Sequence, residues 1–111
     1  MQVNKVNELN IKMIKGDSLS FTFEVEELGV DIDKALFTVK NNADDTSVLF
    51  QKSLTNGISK IDNNKYLVMI VPRDTLYLDI KTYYYDLEIT IGDSVHTVIK
   101  GLLKLDNDIS N

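Results

Sequence analysis

The fold class the sequence predicts is all-β: an antiparallel β-sandwich of about seven or eight strands, with one short helical turn near residues 74–80. Three observations predict it. Apolar residues recur at every second position, the period of a half-buried strand. Turn residues punctuate the chain at short intervals. No stretch sustains the 3.6-residue period of a helix layer. The chain has 111 residues, the size of one domain with its own two-layer core. One domain, residues 1–111, is therefore expected, with an ordered core from about 9 to 106 between a polar N-terminal lead and a solvated tail.

Taken in order, Leu9-Asn10-Ile11-Lys12-Met13 is the first alternating run. The Lys15-Gly16-Asp17 step supplies turn chemistry before the next run, joining the two closely. That second run puts Leu19, Phe21, Phe23 and Val25 on one face and Ser18, Ser20, Thr22 and Glu24 on the other. After a loop at Leu28-Gly29-Val30-Asp31, Ala35, Phe37 and Val39 alternate with Leu36, Thr38 and Lys40 until Asn41 to Asp45 break the run. Val48, Phe50 and Leu54 mark a strand that Thr55-Asn56-Gly57 ends. Ile58 and Ile61 follow, the chain turns at Asp62-Asn63-Asn64, and Tyr66 to Val71 reads as a central strand with apolar residues on both faces.

Pro72 closes that strand, because proline removes a ladder donor. Asp74 to Ile80 reads as a helical turn that Asp74 or Thr75 caps, with Leu76 and Ile80 on one side. The final hairpin has the strongest pattern. Tyr83, Tyr85, Leu87, Ile89 and Ile91 point inward; Tyr84, Asp86, Glu88 and Thr90 point outward; Gly92-Asp93 turns the chain; and Val95, Thr97, Ile99, Gly101, Leu103 and Leu105 return. The interval from Asp74-Thr75 to Tyr83 matches the corner before the penultimate strand of immunoglobulin-like sandwiches, where an inward tyrosine bonds back to the backbone. Tyr83 or Tyr85 is assigned that role, which makes the predicted sandwich immunoglobulin-like.

Composition excludes several functions. Without cysteine there is no disulfide framework, thiol nucleophile or thiolate metal site. Seventeen acidic residues against twelve basic ones give a formal charge of −5, and no Lys/Arg cluster interrupts the pattern. Nucleic acid and anionic membrane surfaces are not the expected partners. The N-terminus is polar, without an apolar run of signal-peptide length, and no apolar stretch approaches the roughly 20 residues of a membrane span.

No catalytic, cofactor-binding or metal-binding residue is assigned. His96 is the only histidine and is placed among the outward positions of the hairpin, where a plain strand histidine is preferred over a general base. The pairs Asp31/Asp33, Asp44/Asp45 and Asp106/Asp108 lie in or beside loops where calcium ligands could converge, but none carries the glycine and distal glutamate of an EF-hand loop, and solvated loop ends are the preferred reading. The tyrosines at 66, 77, 83, 84 and 85 suggest a sugar-stacking platform, yet alternation leaves only Tyr84 of the triplet outward and tryptophan is absent.

The ordered motifs resemble a known family. Ile14-Lys15-Gly16-Asp17-Ser18-Leu19-Ser20-Phe21-Thr22-Phe23 is similar to the opening of small phage baseplate and tail proteins, in which a Gly-Asp-Ser/Thr turn starts an alternating strand. Thr82 to Thr90, then Thr97-Val98-Ile99-Lys100-Gly101, resembles their closing hairpin, a Tyr-x-Tyr-Asp-Leu strand before a Thr-x-x-x-Gly return. Over about residues 9–108 the chain looks like the N-terminal domain of phage baseplate upper proteins, a β-sandwich that anchors receptor-binding parts to the tail. The resemblance implies a non-enzymatic structural module of a phage or prophage tail, made in the bacterial cytoplasm without a signal peptide and carried in the virion. Its implied partners are other tail or baseplate proteins and further copies of itself. Exposed strand edges and the outward apolar residues Leu36, Leu67, Met69, Val98 and Leu102 are the expected contact surfaces. The alternative is a carbohydrate-binding accessory module that uses loop carboxylates, Tyr77 and Tyr84.

Overall fold

The computed structural model describes residues 7–25 and 31–107. Among them nine strands form: β1 (Asn7–Glu8), β2 (Ile11–Ile14), β3 (Leu19–Glu24), β4 (Lys34–Lys40), β5 (Phe50–Leu54), β6 (Gly57–Asp62), β7 (Lys65–Ile70), β8 (Thr82–Ile91) and β9 (Ser94–Asp106). One helical turn, α1 (Pro72–Thr75), lies between β7 and β8. The predicted loop at 28–30 and Asp108 fall outside the described residues.

The ladder runs β1-β9-β8-β4-β5-β6-β7-β3, with β2 also on β9. It turns over between β5 and β6, where only Ser53↔Gly57 and Leu54↔Ile58 pair. On one side lies a large sheet of β1/β2, β9, β8, β4 and β5; on the other, a small sheet of β6, β7 and β3. Inward faces follow from alternation: Ala35, Phe37 and Val39 of β4, Tyr66, Val68 and Ile70 of β7, and Tyr83, Tyr85, Leu87 and Ile89 of β8 are all buried. β7 is central in its sheet, as predicted, between β3 and β6.

The pairing is not antiparallel throughout. β1 and β2 run parallel to β9, so β2 and β3 are joined by the predicted turn but belong to opposite sheets. Gly16, with φ of +85°, carries the chain across, and its amide donates to Thr75 Oγ1 at 2.9 Å. A second close approach occurs at Gly101. A Cβ there would stand 2.8 Å from the Leu9 carbonyl carbon, so glycine is what lets the N-terminal segment lie against β9.

Aromatic side chains join the layers. Phe37 of β4 packs edge-on against Phe21 of β3 at 5.6 Å and also meets Tyr85 of β8 at 5.2 Å. In antibody domains a disulfide spans the sheets, with its second cysteine two residues after the corner tyrosine and a buried tryptophan packed against it. Tyr83 is the corner tyrosine here: its hydroxyl donates to the Asp79 carbonyl at 2.8 Å, as the sequence predicts. Tyr85 therefore stands where that cysteine would be, and Phe37 packs on it.

Two further expectations are corrected. The helical turn spans Pro72–Thr75 instead of 74–80, so Leu76 and Ile80 lie beyond it; it starts early because proline at the first helical position has the required φ and leaves no donor unsatisfied. Asp74 is consequently its third residue and accepts a 2.8 Å hydrogen bond from the Val71 amide; Thr75 is fully buried. In β9 a bulge separates the pairs Leu87↔Ile99 and Glu88↔Thr97, leaving Val98 as the extra residue. The phase before it is inverted: Val95 is exposed and pairs with Thr90, His96 pairs with the buried Ile89, and Val98, expected outside, is buried.

Candidate functional site

The outer face of the large sheet is built by the residues that alternate away from the core. On β8 these are Tyr84, Asp86 and Glu88. Ladder register places Leu102, Tyr84 and Lys40 in one row across β9, β8 and β4. The next row is Lys100, Asp86, Thr38 and Gln51, in which Gln51 Nε2 donates to Thr38 Oγ1 at 2.9 Å.

All residues of these two rows but Gln51 line an open concavity of about 640 Å³. Glu8 and Asn10 border it from the N-terminal segment, Ala43 from the β4–β5 connection, and Thr97 and Gly101 from β9. The N-terminal side is held by three hydrogen bonds: Leu9 N to Lys100 O at 3.0 Å, Tyr85 Oη to Leu9 O at 2.6 Å, and Leu102 N to Asn10 Oδ1 at 3.1 Å. Tyr84 is 41% exposed, whereas Thr38 is buried. Burial pushes the Asp86 carboxyl up from the usual carboxylate range, and the Lys40 ammonium pulls it partly back. The ion pairs among the described residues are Lys52–Asp74, Lys60–Asp31, Lys65–Glu24 and Lys104–Asp106. Asp86, Lys40 and Lys100 thus line one concavity without being tied to each other.

The residues singled out in the sequence are dispersed. Asp31 pairs with Lys60, Asp33 accepts from the Gly92 amide at 2.6 Å, and Asp45 accepts from the Asn42 amide at 3.1 Å. Asp45 closes its own loop, whereas Asp31 and Asp33 tie theirs to β6 and to the β8–β9 turn. Among the described residues no group of three or more His, Asp or Glu side chains could hold a metal ion. His96 is half-buried beside Ile89 and away from the concavity's lining. Tyr66 is buried and stacks on Phe23 at 5.3 Å. Tyr77 is 88% exposed but does not line the concavity, so it and Tyr84 make no common platform. Of the outward apolar residues, Met69 is exposed, Leu36, Leu67 and Leu102 are half-buried, and Val98 is buried.

Sequence reasoning placed Asp86 outward but did not see what surrounds it, and it missed the Lys52–Asp74 pair. That ion pair, at 2.6 Å with both side chains about nine-tenths buried, ties β5 to α1. A signal was present: Lys52 lies in inward phase between Phe50 and Leu54, and a charge in that phase needs a buried counter-charge.

No family model matches the chain, and no curated protein matches it. Among solved structures it is similar to the extracellular domain of the voltage-gated sodium channel β4 subunit, at a TM-score of 0.53 and 14% identity over 98% of this chain and 99% of that one. That domain is described as forming parallel homodimers that explain its role in cell–cell adhesion. It is also similar to an extracellular fragment of novel immune-type receptor 11 from Ictalurus punctatus, at a TM-score of 0.47 and 10% identity over 98% and 91% of the two chains. The sodium channel likeness, with the tyrosine corner and the strand order, establishes an immunoglobulin-like β-sandwich.

Proposed function

We propose that the chain is a non-enzymatic interaction module of a phage or prophage tail or baseplate, working in the virion through contacts with copies of itself or neighbouring tail proteins. The opening turn and closing hairpin described from the sequence support the phage setting. The observation that carries the contact role is the outer face of the small sheet. Leu67 and Met69 of its central strand point to solvent, paired with Thr22 and Ser20 of β3, and Ser59 of β6 lies opposite Leu67. The result is an apolar ridge bordered by small neutral side chains, with the Glu24–Lys65 ion pair at one end. Such a surface suits the centre of a protein interface, where charge is depleted. The homodimers of the sodium channel β4 domain are a precedent for self-association by this fold.

Sedimentation velocity on the purified chain, from micromolar to millimolar concentration, tests the proposal together with retention of tail proteins on the immobilised domain. We expect one of these associations to occur and Met69→Lys to weaken it at least tenfold, about 1.4 kcal/mol. A chain that stays monomeric and retains no tail protein refutes it.

A further inference from the structure

The concavity on the opposite sheet is a separate feature, and its chemistry points to a small ligand. Its volume of about 640 Å³ lies within the roughly 300–1,000 Å³ usual for small-molecule sites. It lies over β9, β8 and β4, whose backbones are paired on both sides of β8. An extended peptide therefore finds no open strand edge on the floor, and recognition falls to side chains.

Those side chains are complementary to one class of molecule. The Tyr84 ring offers a flat apolar surface suited to the C–H face of a saturated ring. Asp86 is a partly desolvated acceptor beside it, which gains from donors such as hydroxyl groups. Lys40 and Lys100 are ammonium donors on either side in the ladder, and Asn10, Thr38 and Thr97 add neutral polar groups. Two cations, Lys40 and Lys100, balance two anions, Glu8 and Asp86, so the lining has no excess positive charge to select a phosphate or polyanion. We propose that this concavity binds a neutral saccharide, with one sugar ring stacked on Tyr84 and its hydroxyl groups donating to Asp86. The site is independent of the Leu67–Met69 ridge, so one module joins protein on one face and glycan on the other.

The probe is an array of neutral hexose and N-acetylhexosamine oligosaccharides, with a peptide array alongside. The wild-type chain is expected to retain at least one glycan, and Tyr84→Ala and Asp86→Asn each to lower its apparent affinity tenfold or more. Tyr77→Ala removes an exposed aromatic outside the site and should leave binding unchanged. Amide chemical-shift mapping of the wild type with the retained sugar should centre on Lys40, Tyr84, Asp86 and Leu102, and it decides the matter if a variant fails to fold. No glycan retained, retention indifferent to Tyr84 and Asp86, or shifts centred elsewhere overturns the proposal. Retention of peptides alone overturns it too and assigns the concavity to a protein partner.

Discussion

Replacing Gly101 with alanine tests how the N-terminal segment is held. The new methyl would stand 2.8 Å from the Leu9 carbonyl carbon, closer still to its oxygen, and 3.1 Å from Asn10 Oδ1. Two of these are backbone atoms, so no side-chain rotation relieves the clash, and the segment must lift from β9. Three hydrogen bonds are at stake there: Leu9 N to Lys100 O, Tyr85 Oη to Leu9 O, and Leu102 N to Asn10 Oδ1. At about 1 kcal/mol net for each, and with Ile11 and Met13 partly unseated from the core, the expected loss is about 3–4 kcal/mol. Urea unfolding measures the loss, and hydrogen exchange should speed up first over residues 9–14. Gly92→Ala is the control. Its φ is +59° with nothing within 4 Å of the added methyl, so only backbone strain of about 1–2 kcal/mol applies. A Gly101→Ala protein within about 0.5 kcal/mol of wild type, the scatter usual for surface changes, or no more destabilised than Gly92→Ala, refutes the reasoning.

Two further outcomes concern the interior. Asp74→Asn leaves the Lys52 ammonium without its counter-charge and should destabilise the fold by about 3 kcal/mol; in a double-mutant cycle, adding Lys52→Met should cost less than the sum of the single changes. Burial pushes the Tyr85 hydroxyl up to about 12. The unfolded chain therefore releases that proton first, from about pH 10, and stability should fall between pH 10 and 12 while remaining intact below. Burial raises Tyr83 in the same direction, so Tyr85→Phe should make the alkaline decline shallower without abolishing it, as equilibrium unfolding across that range would show.

Most of the core was legible because one residue of alternation decides one face. Ala35, Phe37 and Val39, and Tyr83 to Ile89, lie where their period puts them. The corner tyrosine was legible for a local reason: its acceptor, Asp79, lies only four residues back. The bulge was not. Val95, Thr97 and Ile99 keep a perfect alternation in sequence, and only pairing against β8 shows that one residue is supernumerary. The parallel placement of β1 and β2 was hidden likewise, since it depends on Gly101 permitting a contact across the fold. For the candidate site, Tyr84 and Asp86 could be read as outward, but the concavity needs Glu8, Asn10 and Ala43 around them, and they come from opposite sides of the sheet. Nothing local in the sequence brings those together.

The aromatic contact of Phe21, Phe37 and Tyr85 has a consequence for how the domain matures. Where a sulfur–sulfur bond clasps two sheets, folding waits on an electron acceptor, and a reductant can later undo the clasp. Here the clasp is made of ring faces and edges and needs no electron acceptor to form. With no cysteine in the chain, thiols and disulfide reductants have no bond in it to break.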